Sequence, residues 1–338
     1  MKSSGIQIIG TQRSGSNLLR VILDQSADIA SPHPPHLLTT FYPLLDLYQP
    51  LTDDENYARL VNDVVDYVNA NPVPWEGVVL QAEEILAASG SNSLLELNRL
   101  IYERAASAKQ AKYWCCKSMN NVYYASDLEA QEEKLKYIYL YRDGRDVAAS
   151  FKKAVVGEKH SYHLAKQWSQ DQEACIALSK LVPKERFFSL NYEELISDPK
   201  GTVEKLCTYL DIPYQDNMLE YYKSSTSKIT AASGEMWSNL EKPILNANTG
   251  KFLKEFKGDD LEIFELVAGE TLTTLGYSLH TKESRPQLLS EELVAGYSLE
   301  NKSLKQDTLV NARASDLEKR APQERILKNI KERVSLMV

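Results

Sequence analysis

Short apolar runs recur along the first two hundred residues, each ending in a polar turn that gives way to a helical pattern. That alternation is the signature of a parallel sheet with crossover helices. The runs predict strands at 7–9, 28–31, 112–116, 136–141 and 186–190. Between the second and third, Leu60, Val61, Val64, Val65 and Val68 recur at helical spacing. Thr52 with Glu55 and Ser93 with Glu96 stand at capping-box spacing, so a helical insertion is expected over about 50–110. Beyond about residue 280 the pattern changes: 281–315 is polar without a clear period, and 321–338 holds a helical stretch with Ile326, Leu327, Ile330 and Val334 on one face. The expected organisation is a domain over 1–280 and a partly helical C-terminal extension over 281–338. The extension either packs back on the domain or pairs with a second copy as a homodimer.

Composition narrows the class. The chain has 338 residues, 43% of them hydrophobic, enough to fill a substantial core, and lacks the run of roughly 18 apolar residues that a membrane span needs. A formal net charge of −8 argues against general nucleic-acid binding, although a local basic pocket can still hold an anionic nucleotide. Cys115, Cys116, Cys175 and Cys207 show neither metal-ligand spacing nor a dense disulfide pattern, which fits a reducing compartment, and a cytoplasmic protein is expected.

The chemistry begins in IQIIGTQRSGSNLL at 6–19, a strand, a glycine-bounded turn and a helix. Such a turn exposes backbone N–H groups, the helix start adds partial positive charge, and together they cradle an anion. Gly10 and Gly15 have Walker A spacing, but Ser16 and Asn17 follow where an NTPase needs Lys and Ser/Thr. Arg13 sits inside the turn instead, where a guanidinium clamps a tetrahedral anion through two donors. The loop suits an anion that needs no metal ion, with Gln12, Arg13, Ser14, Gly15, Ser16 and Asn17 as candidate ligands.

In open parallel sheets ligands bind beyond the carboxyl ends of the strands. Residues 12–17 follow the first expected strand, 33–36 the second, Lys117 and Ser118 the third, 142–146 the fourth and Tyr192 the fifth. These segments should converge on one edge. The second is SPHPPHLL, whose prolines fix the local backbone and whose two imidazoles can accept a proton near neutral pH.

Taken with YIYLYRDGRDVAAS at 137–150 and NYEELISDP at 191–199, the turn resembles those of sulfotransferases that use 3′-phosphoadenosine 5′-phosphosulfate (PAPS). The resemblance covers roughly 5–275, and its motif order is similar to that of tyrosylprotein sulfotransferases. It implies an α/β, P-loop-like three-layer fold with a central parallel sheet of about five strands. It also implies in-line, metal-independent sulfuryl transfer from PAPS to an acceptor hydroxyl, giving a sulfate ester and adenosine 3′,5′-bisphosphate. By the same resemblance Arg142 and Ser150 hold the donor's 3′-phosphate, Tyr192 lies against the adenosine, and Lys117 joins Arg13 as a second cation at the reacting oxygens. The segment NANTGKFLKEF at 246–256 matches in part the loop that closes over the nucleotide, with Thr249, Gly250 and Lys251 near phosphate.

The base is where this sequence departs from the pattern. Tyrosylprotein sulfotransferases carry a glutamate in the segment where His33 stands, so His33 is the first candidate and His36 the second. Failing both, the proton leaves through water or through Glu83 or Glu84. His160, His163 and His280 fall on helices or the tail, where a surface role is expected. Trp237 either stacks on a ligand or fills the core, and Phe41, Tyr42, Leu44, Leu45 and Tyr48 either line an acceptor pocket or form a buried helix face. The rival reading is a P-loop nucleotide-binding protein or kinase without sulfuryl transfer, against which the missing Walker lysine and hydroxyl count.

Overall fold

Each apolar run forms a strand, and all five strands are parallel. In the computed structural model, which describes residues 3–131, 134–282 and 285–335, they are β1 (Ser4–Gly10), β2 (Ile29–Ala30), β3 (Tyr113–Cys116), β4 (Lys136–Tyr141) and β5 (Phe187–Asn191). Their order across the sheet is β2-β3-β1-β4-β5. β1 is central and solvent-excluded on both faces, which is why its sequence is nearly unbroken apolar. β2 is shorter than its apolar run predicts. The Ser31 amide donates to Asp24 Oδ1 at 2.9 Å instead of to a neighbouring strand, and the chain leaves the sheet towards the two histidines.

The longer helices are α1 (Ser16–Leu23), α2 (Asp54–Asn69), α3 (Leu94–Lys109), α4 (Gly144–Lys153), α5 (Ser161–Leu181), α6 (Pro199–Leu210), α7 (Asp260–Thr274), α8 (Glu291–Val310) and α9 (Ala314–Ser335). They cover both faces of the sheet. Strand alternation assigns the layers: Ile6, Ile8, Ile138 and Leu140 pack with α1 and α6, while Ile9, Tyr137 and Tyr139 pack with the insertion and α5. The apolar stripe of α2, Leu60 to Val68, is buried in the second of these cores. Ser93 caps α3 by accepting from the Glu96 amide at 3.1 Å, as its spacing predicts. The α2 cap is Asp53 rather than Thr52: its carboxylate takes the Glu55 and Asn56 amides at 2.9 and 3.0 Å, a charged acceptor nearer the helix dipole.

Phe41 and Tyr48 are core residues, and Tyr42 stacks on Tyr124 at 4.6 Å; this segment is a buried helix face rather than a pocket wall. The region 281–315 departs from its unpatterned look, because α8 occupies much of it. Of its residues only Asn301 is buried, so no apolar stripe marked the helix. Asn301 Oδ1 accepts from the Lys159 and His160 amides at 2.8 and 3.0 Å, tying α8 to the start of α5. α9 packs back on the domain. Ile330 enters the insertion's core, with Ile326 and Leu327 against it, and Arg333 pairs with Asp63 at 2.6 Å. The Val334 side chain lies outside the described residues. The four cysteines are free and buried, and no described helix is long and apolar enough to cross a membrane.

α4 approaches the body most closely at its first residue. A Cβ on Gly144 would lie 2.5 Å from the Trp168 ring and 2.9 Å from that of Phe264. Gly144→Ala should therefore cost about 1–3 kcal/mol in urea unfolding through overpacking. An unchanged midpoint would contradict this packing.

Candidate active site

The turn behind β1 is held by two glycines. At Gly10, with φ 131°, a Cβ would stand 2.2 Å from the Leu140 carbonyl oxygen; at Gly15, with φ 87°, it would strike the Tyr192 ring at 2.4 Å. Only glycine fits either place. Between them Arg13 adopts φ 70°, a left-handed conformation that costs a non-glycine residue energy and aims its side chain inward. α1 starts at Ser16 with no side-chain cap, so its first amides are left for a ligand.

Arg13 Nε donates to Ser150 Oγ at 3.0 Å. Arg142 donates to the Arg13 carbonyl at 3.2 Å and to the Asn248 carbonyl at 2.8 Å, and its guanidinium lies 4.5 Å from the Tyr192 ring centroid. Asn248 Nδ2 in turn donates to the Tyr192 hydroxyl at 2.6 Å. Asp146 holds the next stretch of that loop, accepting from the Gly250 amide at 2.7 Å and the Phe252 amide at 3.0 Å, and sits 3.6 Å from Arg142. The segments around 13, 142, 192 and 248 thus form one interlocked cradle. The Ser14 hydroxyl and Arg142 Nε are enclosed within it without a hydrogen-bond partner.

A cavity of about 940 Å³ opens from this cradle. Of the residues expected to bind the donor, act as cations or serve as the histidine base, all line it except Ser14, Thr249 and Gly250. Ser14 is buried behind the turn, and Gly250 is spent on Asp146. Glu83 and Glu84 are surface residues outside the cavity, Glu84 pairing with Arg104 at 3.4 Å, and neither reaches the site. His160 is buried rather than superficial: its Nδ1 accepts from the Tyr162 amide at 3.2 Å as the N-cap of α5.

Cations crowd the site. Lys117 is buried, makes no ion pair among the described residues, and is pulled down to about 7, first by burial and then by Arg20 and Arg13. Arg13 is lowered to about 10 by burial and by Arg142. Burial also draws His33 well below the usual imidazole range, helped by Lys117, Arg20, His36 and Arg320, and brings His36 to about 3. Both imidazoles are neutral at pH 7. The His33 carbonyl is pinned by Asn71 Nδ2 at 3.1 Å and Trp75 Nε1 at 2.7 Å, yet neither ring nitrogen has a partner. Trp237 meets the His33 ring edge-on at 4.9 Å, so it belongs to the cavity wall as well as to the core.

Sequence reasoning missed Asp146 as the anchor of the closing loop, Asn248, and the far wall. Asp146 stood in plain view within RDGRD, where it read as part of a helix start. The far wall comes from α8 and α9, with Asp307, Asp316 and Arg320 facing the cavity, and no local pattern marks them.

A family model described as Sulfotransferase family matches residues 5–216. The sulfotransferase domain of the Synechococcus PCC 7002 olefin synthase superposes with a TM-score of 0.54 at 21% identity, over 83% of this chain and 98% of that one. The sulfotransferase domain from the curacin biosynthetic pathway gives 0.55 at 21% identity, over 82% and 99%. A Caenorhabditis briggsae protein provisionally named a protein-tyrosine sulfotransferase is 23% identical over 283 residues, 82% of this chain and 89% of that one. A protein of Aquifex aeolicus (strain VF5) is 24% identical over 257 residues, and there the match spans 31% of the relative's length. The family match contains the anion-binding turn, both histidines, Lys117, Arg142, Ser150 and Tyr192. The chain belongs to the sulfotransferase family and is a sulfotransferase enzyme.

Proposed function

We propose that the enzyme transfers a sulfuryl group from PAPS to an acceptor hydroxyl, giving a sulfate ester and adenosine 3′,5′-bisphosphate. The carrying observation is that Arg13 and Lys117, neither of which makes an ion pair among the described residues, share one cavity with the buried imidazoles of His33 and His36. PAPS, when bound, supplies an activated sulfuryl group on a phosphate leaving group. The turn amides, Gln12, Ser16 and Asn17 grip the phosphosulfate, Ser14 backs the turn from behind, and Arg142 with Ser150 holds the 3′-phosphate. Tyr192 packs against the adenosine, and Lys251, carried by the Thr249–Gly250 turn, closes over the phosphates. Arg13 and Lys117 neutralise charge on the departing oxygen, which fixed cations in a water-poor site do well.

His33 accepts the acceptor's proton on a ring nitrogen. Its basicity in the free protein is suppressed partly by Lys117 and Arg20. A bound polyanion offsets that field and raises the imidazole towards a useful range. His36 is the alternative base. We also propose that 1–280 is the transferase unit and that 281–338 completes its cavity.

His33→Ala should lower turnover about 10²–10⁴-fold while donor affinity stays nearly constant, and should remove the acidic limb of the kcat/KM profile. The same loss in His36→Ala with a near-normal His33→Ala would move the role to His36. Arg142→Ala should weaken PAPS by about 1.5–3 kcal/mol more than adenosine 5′-phosphosulfate, which lacks the 3′-phosphate. Equal losses would remove Arg142 from that contact. Lys117 is cationic below about pH 7 and neutral above it. Sulfate affinity, read by calorimetry, should therefore fall between pH 6.5 and 8.5, and Lys117→Met should flatten that dependence; a slope unchanged in the variant would assign it elsewhere.

A further inference from the structure

The cavity has two chemically different ends. One is the cradle around Arg13, Arg142 and Tyr192. The other is walled by α8 and α9, beyond the family match, and its cation is Arg320. The Arg320 guanidinium carbon lies 5.7 Å from the Trp237 ring centroid, and the same ring meets His33 edge-on at 4.9 Å. Its charge is felt at both His33 and His36. Arg320 therefore stands on the histidine side of the cavity, one tryptophan ring from the proposed base.

An arginine on a helix face is ordinarily solvated or paired. This one is half-buried and makes no ion pair among the described residues. Its Nε is enclosed without a hydrogen-bond partner, and among the described residues no carboxylate is within ion-pair distance of it. Asp316, one turn earlier on α9, is committed to the Glu235 amide at 3.2 Å, and Glu235 itself pairs with Arg313 at 2.6 Å. A planar guanidinium with free donors matches a carboxylate in fork geometry. Asp307 and Asp316 line the same wall, and Arg313 there is already paired with Glu235, so a dianionic phosphate would meet two like charges against one unpaired cation, whereas a monoanion suits the balance.

We propose that Arg320 recognises the acceptor by binding a carboxylate that the acceptor carries near its hydroxyl, so that the substrate class is a hydroxy acid. This rests on the sulfuryl-transfer reading, with His33 as the point where the hydroxyl lies. Trp237 forms the shelf between the two groups, and the C-terminal extension becomes the specificity element of the enzyme.

The test uses the full chain saturated with adenosine 3′,5′-bisphosphate and matched pairs of aromatic and aliphatic hydroxy acids and their methyl esters, beginning with 4-hydroxyphenylacetate. Calorimetry should show at least one acid binding about tenfold or more tighter than its ester, the loss expected when a charge-assisted contact is removed. Arg320→Gln should abolish that preference and raise the acid's dissociation constant by the same factor, Arg320→Lys should retain part of it, and bisphosphate affinity should stay within about twofold in both. No acid preferred over its ester, a preference that survives Arg320→Gln, or a bisphosphate affinity that collapses in the variant would overturn the assignment. Failure of the unmodified protein to bind the bisphosphate at all would overturn the donor reading instead, which this design separates from the role of Arg320.

Discussion

Arg13 and Lys117 share one cavity, and neither makes an ion pair among the described residues. Burial first, and then the charges of Arg20 and Arg13, draw the Lys117 ammonium down to about 7. A fold tolerates such an arrangement only if packing over-determines it. β1 and β4 lie side by side at the centre of the sheet, and their ends deliver the turn at 10–15 and the Arg142 segment to adjacent places. Tyr192 and the loop at 246–252 lock both from above through Arg142, Asn248 and Asp146. The left-handed Arg13 and the Ser14 hydroxyl and Arg142 Nε, without partners among the described residues, gather in this one cradle.

The same field shapes the acid–base chemistry. Without an anion the cations and burial keep both histidines neutral, and an uncharged imidazole is the form that takes a proton. A polyanionic donor would cancel part of that field, strengthening the base only once the donor is in place. On the proposed reading, donor binding would thereby strengthen the base electrostatically, without any moving part.

Much of this was legible in the sequence because it is local. The strand, glycine spacing and helix start around Arg13 sit within fourteen consecutive residues, and the apolar runs marked all five strands of the sheet. β2 was overextended by its apolar run because Asp24, a side chain from the preceding helix end, captures the Ser31 amide. The α2 cap was misplaced by one residue because two acceptors compete there and the carboxylate wins. Asp146 was legible as a residue but not as an anchor, since its partners are more than a hundred positions away. α8 was the hardest, because it has no apolar stripe, whereas the apolar positions of α9 around Ile330 did mark a helix; what no local pattern showed is that Asp307, Asp316 and Arg320 line the cavity.

On the proposed reading the cradle holds a 3′-phosphorylated adenosine nucleotide with its 5′-phosphate at the turn. A crystal structure with adenosine 3′,5′-bisphosphate decides this. The 5′-phosphate is expected on the amides behind β1, within hydrogen-bond reach of Lys117, and the 3′-phosphate against Arg142 and Ser150. A nucleotide bound elsewhere, bound in the reverse sense, or bound with Lys117 turned away would contradict it.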